Sequence, residues 1–130
     1  MENEVEKELS PVIPYQKEYE EFIAQYQNSP TIAEEVGKMI AKMAQYFGQA
    51  NALYGNAKKS YNEIASTVVQ TEDNGKPISV SKADLLSRAT PQAKDLIDRE
   101  IDLKSIEMQI NALKSLQKGV LNEYSHMGNI

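Results

Sequence analysis

Apolar side chains recur along most of this chain at alternating spacings of four and three, the period of a helix buried on one side. The most regular stretch is Val36, Ile40, Met43, Phe47, Ala50, Tyr54, Ala57, Tyr61, Ile64 and Val68. An unbroken alternation of this kind is a 3.5-residue repeat, the seam of a coiled coil. It predicts a helix over about 31–70, ~60 Å long at ~1.5 Å per residue. One position on, Gly37, Ala41, Ala44, Gly48, Asn51 and Gly55 form a second stripe of mostly small residues. Glycine costs up to ~1 kcal/mol per helix position relative to alanine. The stripe reads either as a place where another helix backbone comes close, or as glycines that the helix tolerates.

Before this helix, Tyr15, Tyr19, Phe22 and Tyr26 share a face of a predicted helix over 15–28, and they are expected to pack or to hold subunits together. Asn28-Ser29-Pro30 ends it, and Ser29 or Thr31 can start the next. Residues 71–80 contain Asp-Asn-Gly and Lys-Pro, a strong turn signal. Ser81 is placed to cap a short helix over 82–89, and Thr90-Pro91 to cap a long one over 91–126. Leu96, Leu103, Ile110 and Tyr124, with Ile106, Leu113, Val120 and Met127, supply the seam of the last helix, which Ile101, Met108 and Leu116 widen. One partner helix cannot cover so wide a stripe, so either the aromatic first helix or another subunit covers the rest. The expected fold is all-α: a long antiparallel, coiled-coil-like helical hairpin with an N-terminal helix and a short connecting helix, forming a homo-oligomer. Residues 15–130 form one helical domain, preceded by a flexible acidic arm over 1–14 in which Pro11 and Pro14 oppose a continuous helix.

Composition adds exclusions. Cysteine is absent, which removes disulfide scaffolds, thiol catalysis and cysteine-based zinc sites. No apolar run approaches the ~18 residues that span a bilayer, so no membrane partner is expected. The opening MENEVEKELS lacks the positive start and apolar segment of a secretory signal, which favours the cytoplasm. The net charge of −5 is uneven. Residues 1–35 carry nine acids and two lysines, whereas residues 36–130 carry ten acids and twelve Lys or Arg. The acidity thus belongs to the N-terminal part, and a near-neutral body is compatible with nucleic acid. The arm either keeps the chain soluble, contacts a basic partner, or competes with nucleic acid for the chain's own lysines.

Catalytic signals are poor, and no enzyme activity, cofactor, metal or small-molecule substrate is expected. His126 is the single histidine and sits at a helix end. Gly48 and Gly55 lie inside a helical pattern and make no phosphate loop. Asp95, Asp98 and Asp102 share a face with Arg99 beside them, which reads as a solvated charged face. Nucleic-acid signals are modest. Lys58 and Lys59 lie near Tyr54 and Tyr61, and Lys114 and Lys118 are an i,i+4 pair on the last helix. Lysines grip phosphates and tyrosine rings stack on bases, although both tyrosines also fall on the seam.

The order of these parts resembles the phage recombination mediators of the UvsY type. The likeness covers about residues 31–127 and rests on ALYGNAKKSY in the long helix, a polar turn, and SKADLLSRATPQAKDLIDREIDLKSIEMQINALKSLQKGVLNEY leading through the last helix. That resemblance implies a small oligomeric helical protein that binds single-stranded DNA, remodels the single-strand-binding protein and helps load a RecA-like recombinase, here in the cytoplasm of a bacterial host. The family's mid-helix basic pair then maps onto Lys58 and Lys59, and its basic residue in the last helix onto Lys114 or Lys118. This chain differs in carrying an acidic arm and in having no arginine in the central helix. The alternative reading is a protein-only adaptor, scaffold or inhibitor that uses the seam and the arm.

Overall fold

The computed structural model describes residues 12–26 and 32–128, with side chains up to residue 123. Most of the acidic arm, the junction at Asn28-Ser29-Pro30 and the side chains of Tyr124, His126 and Met127 therefore lie outside the described residues. Within them the chain is all-α apart from one tiny hairpin. The order is α1 (Tyr15–Tyr26), α2 (Ile32–Val69), β1 (Glu72–Asp73), β2 (Lys76–Pro77), α3 (Val80–Arg88) and α4 (Pro91–Gly128). The two long helices run through two compact units, one spanning Ala50–Leu103 and the other combining the described parts of Pro11–Gln49 and Lys104–Ile130.

The hairpin between the long helices follows from two backbone positions. Asn74 (φ 55°) and Gly75 (φ 77°) both occupy the left-handed region, which Asn and Gly adopt most cheaply. That turn pairs Glu72 with Pro77 and Asp73 with Lys76 in antiparallel register. Lys82 reaches back from α3 to Asp73 at 2.7 Å. The helix α3 begins earlier than the sequence suggests. Ser79, not Ser81, is its cap, because Ser79 holds an extended backbone and its hydroxyl accepts from the Lys82 amide. At the other end Thr90 serves two helices. Its hydroxyl donates to the Ser87 carbonyl at 2.6 Å and accepts from the Ala93 amide at 3.2 Å. Pro91, whose missing N–H costs nothing at the first helical position, then opens α4.

The units differ in what they bury. In the unit formed by the chain's two ends, Val36, Met43, Ile106 and Leu113 are wholly enclosed, with Ile13, Tyr15, Phe22, Ile32 and Met39 around them. Burying a side chain of this size stabilises by about 1.5–3 kcal/mol. The aromatic face of α1 closes this core: Tyr15 and Phe22 are buried, Tyr19 and Tyr26 half-buried, and the Phe22 and Tyr26 rings lie 5.1 Å apart. In this unit α1 reaches α4 through the Gln109–Gln16 hydrogen bond, but Met108, which widens the stripe on α4, stays 71% exposed. The other unit buries chiefly Ala50, Ala57, Ala83, Ala93, Ser87 and Arg99. Alanine lets helices approach closely but removes little apolar area from water, so this half holds together with less.

One expectation about α2 is corrected. Phe47, in the middle of the seam, is 36% exposed, while Met39, off the seam, is buried. An α-helix has 3.6 residues per turn, so a 3.5-residue seam drifts around a helix that is not supercoiled to follow it. The small-residue stripe is uncovered over most of its length. A side chain added at Gly48 or Gly55 would meet nothing within 4 Å, and only Gly37 lies near a neighbour, Gln117, at 3.5 Å.

Candidate nucleic-acid interface

Lysine on a helix surface usually spends its charge on a carboxylate one turn away, and most lysines of this chain that are placed near acids do so. Lys17 pairs with Glu21 at 3.9 Å, and Lys38 with Glu34 and Glu35 at 3.8 and 3.4 Å. Lys42 reaches Glu18 on α1 at 3.1 Å. The four lysines singled out from the sequence behave differently. Lys58, Lys59, Lys114 and Lys118 are all exposed, and among the described residues none has a carboxylate within ion-pair range.

The structure brings them together only in pairs. Lys58 and Lys59 are adjacent on the part of α2 within Ala50–Leu103, whereas Lys114 and Lys118 stand one turn apart on α4 in the other unit. Around the first pair Asn51, Asn56, Ser60 and Asn62 are exposed, and Glu63 is the nearest acid in sequence. Uncharged donors and acceptors beside two ammonium groups suit a chain of phosphates and sugars. Tyr54 and Tyr61 are half-buried. Tyr61 lines two apolar clefts, so its ring takes part in packing at the base of this surface. Of the residues expected to hold subunits together, Ile101 and Met108 are exposed and Leu116 is half-buried.

Two polar groupings escaped the sequence reading. The first ties α1 down. The Tyr46 hydroxyl donates to the Glu18 carboxylate, which Lys42 also contacts. The Tyr46 hydrogen bond, and secondarily Lys42, hold the Glu18 carboxyl below the usual carboxylate range against the opposing effect of burial. The same bond, with burial, pushes the Tyr46 phenol up to about 12. Both shifts make folding pH-dependent. The Glu18 contribution is present above its ordinary value of 4.5 and is lost as pH falls through its lowered folded value. The Tyr46 contribution is present below its ordinary value of 10.0 and is lost as pH rises towards about 12. Tyr46→Phe should therefore lower the melting temperature by a constant amount between roughly pH 5 and pH 9, with the gap closing at both extremes. Melting curves followed by circular dichroism across pH test this, and a gap that stays constant through pH 12 would remove the phenol from the account.

The second grouping is Arg99, expected on a solvated face. Its side chain is only 7% exposed, with Asp95 at 3.4 Å and Asp102 at 3.8 Å, while Asp98 faces solvent. The signal was present in the sequence. Stepping the Leu113–Ile106 line back by one more heptad lands on Arg99. In the other unit Gln109, on the same helix, is buried too and donates to Gln16 of α1, while its own carbonyl oxygen has no hydrogen-bond partner among the described residues.

Among the described residues no three His, Asp or Glu side chains are grouped to hold a metal ion, and no helix is long and apolar enough to cross a membrane. No protein-family model matches this chain, and no curated protein or solved structure matches it either.

Proposed function

We propose that this chain binds single-stranded DNA as a homo-oligomeric recombination mediator, assisting a RecA-like recombinase in the presence of a single-strand-binding protein. The observation that carries the reading is the contrast among the lysines. Lys17, Lys38, Lys42 and Lys82 are each engaged by carboxylates, whereas Lys58, Lys59, Lys114 and Lys118, like Lys76 and Lys94, stand exposed without an ion-pair partner among the described residues. Ammonium groups left in this state displace the cations condensed on phosphates, so affinity rests on salt. Two lysines per pair bind weakly, and repetition around an oligomer adds weak sites together. The resemblance to phage mediators points to the same pair on α2.

Anisotropy of a labelled strand of about 40 nucleotides, titrated between ~50 and ~200 mM salt, tests this. Binding should weaken by about tenfold or more across that range. Lys58→Ala with Lys59→Ala should weaken binding and reduce the logarithmic salt slope by about 1.4 per chain, at about 0.7 per phosphate contact on single strands. The helix content should be unchanged, because both side chains are exposed. Absence of binding at ~50 mM salt would overturn the reading in favour of a protein-only adaptor.

A further inference from the structure

The unit spanning Ala50–Leu103 has its large and small apolar residues inverted. Its fully buried apolar side chains are alanines, Ala50, Ala57, Ala83 and Ala93, whereas Val69, Val80, Leu85, Leu86, Ile97 and Ile101 are exposed. Three of the exposed residues edge two apolar clefts that share Tyr61 as a wall. Val69 and Val80 line one, of about 230 Å³, and Ile97 lines the other, of about 300 Å³. Asp84 lines the first cleft and Arg88 the second. Their ion pair, at 3.1 Å, thus spans from one cleft to the other, with both side chains more than half exposed.

We propose that this face pairs with the same face of a second copy of the chain, α3 against α3 in antiparallel order, so that Asp84 of each chain meets Arg88 of the other. Three observations select this occupant. Buried alanines remove little apolar area from water, so the unit needs cover whenever it is folded, and a second copy is present wherever the chain is. The face carries protrusions and hollows together, Val69 and Val80 beside two clefts. A two-fold contact requires that combination, because each surface supplies both halves of the fit. The charges are balanced, which favours neither a strongly acidic nor a strongly basic partner, and they are also ordered. Asp84 and Arg88 stand four residues apart and so share one side of α3. A two-fold axis keeps both on that side and reverses their order, which sets each carboxylate opposite a guanidinium. The inference rests on the homo-oligomeric part of the proposed function and on no contact with DNA.

Light scattering of the full chain over a dilution series, without nucleic acid, gives the dissociation constant of the dimer. Asp84→Arg alone and Arg88→Asp alone should each raise it by about tenfold or more, since each sets like charges face to face. Helix content should be unchanged, because both side chains are exposed. Mixing the two charge-reversed chains should restore association, because the arginines of one then meet the aspartates of the other. The pair within one chain cannot produce that restoration, since each variant keeps two like charges one turn apart whether mixed or alone. Val80→Asp should weaken the dimer as well, at a side chain 87% exposed in the single chain. Leu86→Gln, on α3 but lining neither cleft, should leave it unchanged. Association that ignores both charge reversals, that is not restored in the mixture, or that falls as far with Leu86→Gln would overturn this face while leaving a homo-oligomer in place. A chain that stays monomeric at every concentration would overturn the face and the homo-oligomeric reading together.

Discussion

Ile106→Ala is expected to cost about 2–5 kcal/mol of stability, the usual loss for deleting an enclosed aliphatic side chain and leaving a cavity. Ile106 is fully buried, as are Val36 and Met43, and α1 adds Tyr15 and Phe22 to the same core. Against a typical total of about 5–15 kcal/mol for a domain, that loss moves the urea midpoint visibly. Phe47→Ala provides the internal control. Phe47 lies on the predicted seam of α2 yet is 36% exposed, so its truncation should cost about 1 kcal/mol or less. If Phe47→Ala proved as costly as Ile106→Ala, and more costly at higher protein concentration, another copy of the chain would have to cover that ring.

The second large effect concerns Arg99. A buried guanidinium is stable only while its carboxylates remain, since removing a partner leaves a desolvated charge. Asp95→Asn with Asp102→Asn should therefore cost about 2–3 kcal/mol, less than the 3–5 of a fully enclosed pair, because water screens both aspartates in part. Arg99→Met should lie within about 1 kcal/mol of the parent in either direction, since an apolar chain of similar length avoids the desolvation altogether. Urea unfolding of the two variants separates the cases. Indifference to the double asparagine change would mean that groups other than these two carboxylates serve the guanidinium.

Local chemistry explains which elements the sequence disclosed. Asn74-Gly75 has few conformations open to it other than a turn, and Thr90-Pro91 fixes a helix start within one residue. The seam on α2 located Val36, Met43, Ala50 and Ala57 correctly as buried. Polar residues on a buried helix face stay hidden from a pattern made of apolar side chains. Arg99 and Gln109 lie on the buried line of α4, yet hydropathy counts them as surface. The lysines show the same limit from the other side. Lys42 and Lys58 look alike in sequence, both on α2 with few acids close by. Only the folded chain sets Glu18 of α1 against Lys42 and leaves Lys58 without an ion-pair partner among the described residues. Charge composition can nominate a binding lysine, but tertiary pairing decides which nominee keeps its charge available.

The polar residues on that line have a consequence for how the hairpin folds. A uniformly apolar heptad seam has nearly equivalent alternatives, since sliding one helix by seven residues restores the same pattern of knobs and holes. Such slipped states trap a folding chain. Here a slide of α4 by one heptad would carry Arg99 into the fully enclosed place of Ile106, and would take Gln109 away from Gln16. Moving a guanidinium into an apolar site costs several kcal/mol. A slide in that direction is therefore disfavoured for this chain, and a slide in either direction forfeits the Gln109–Gln16 hydrogen bond.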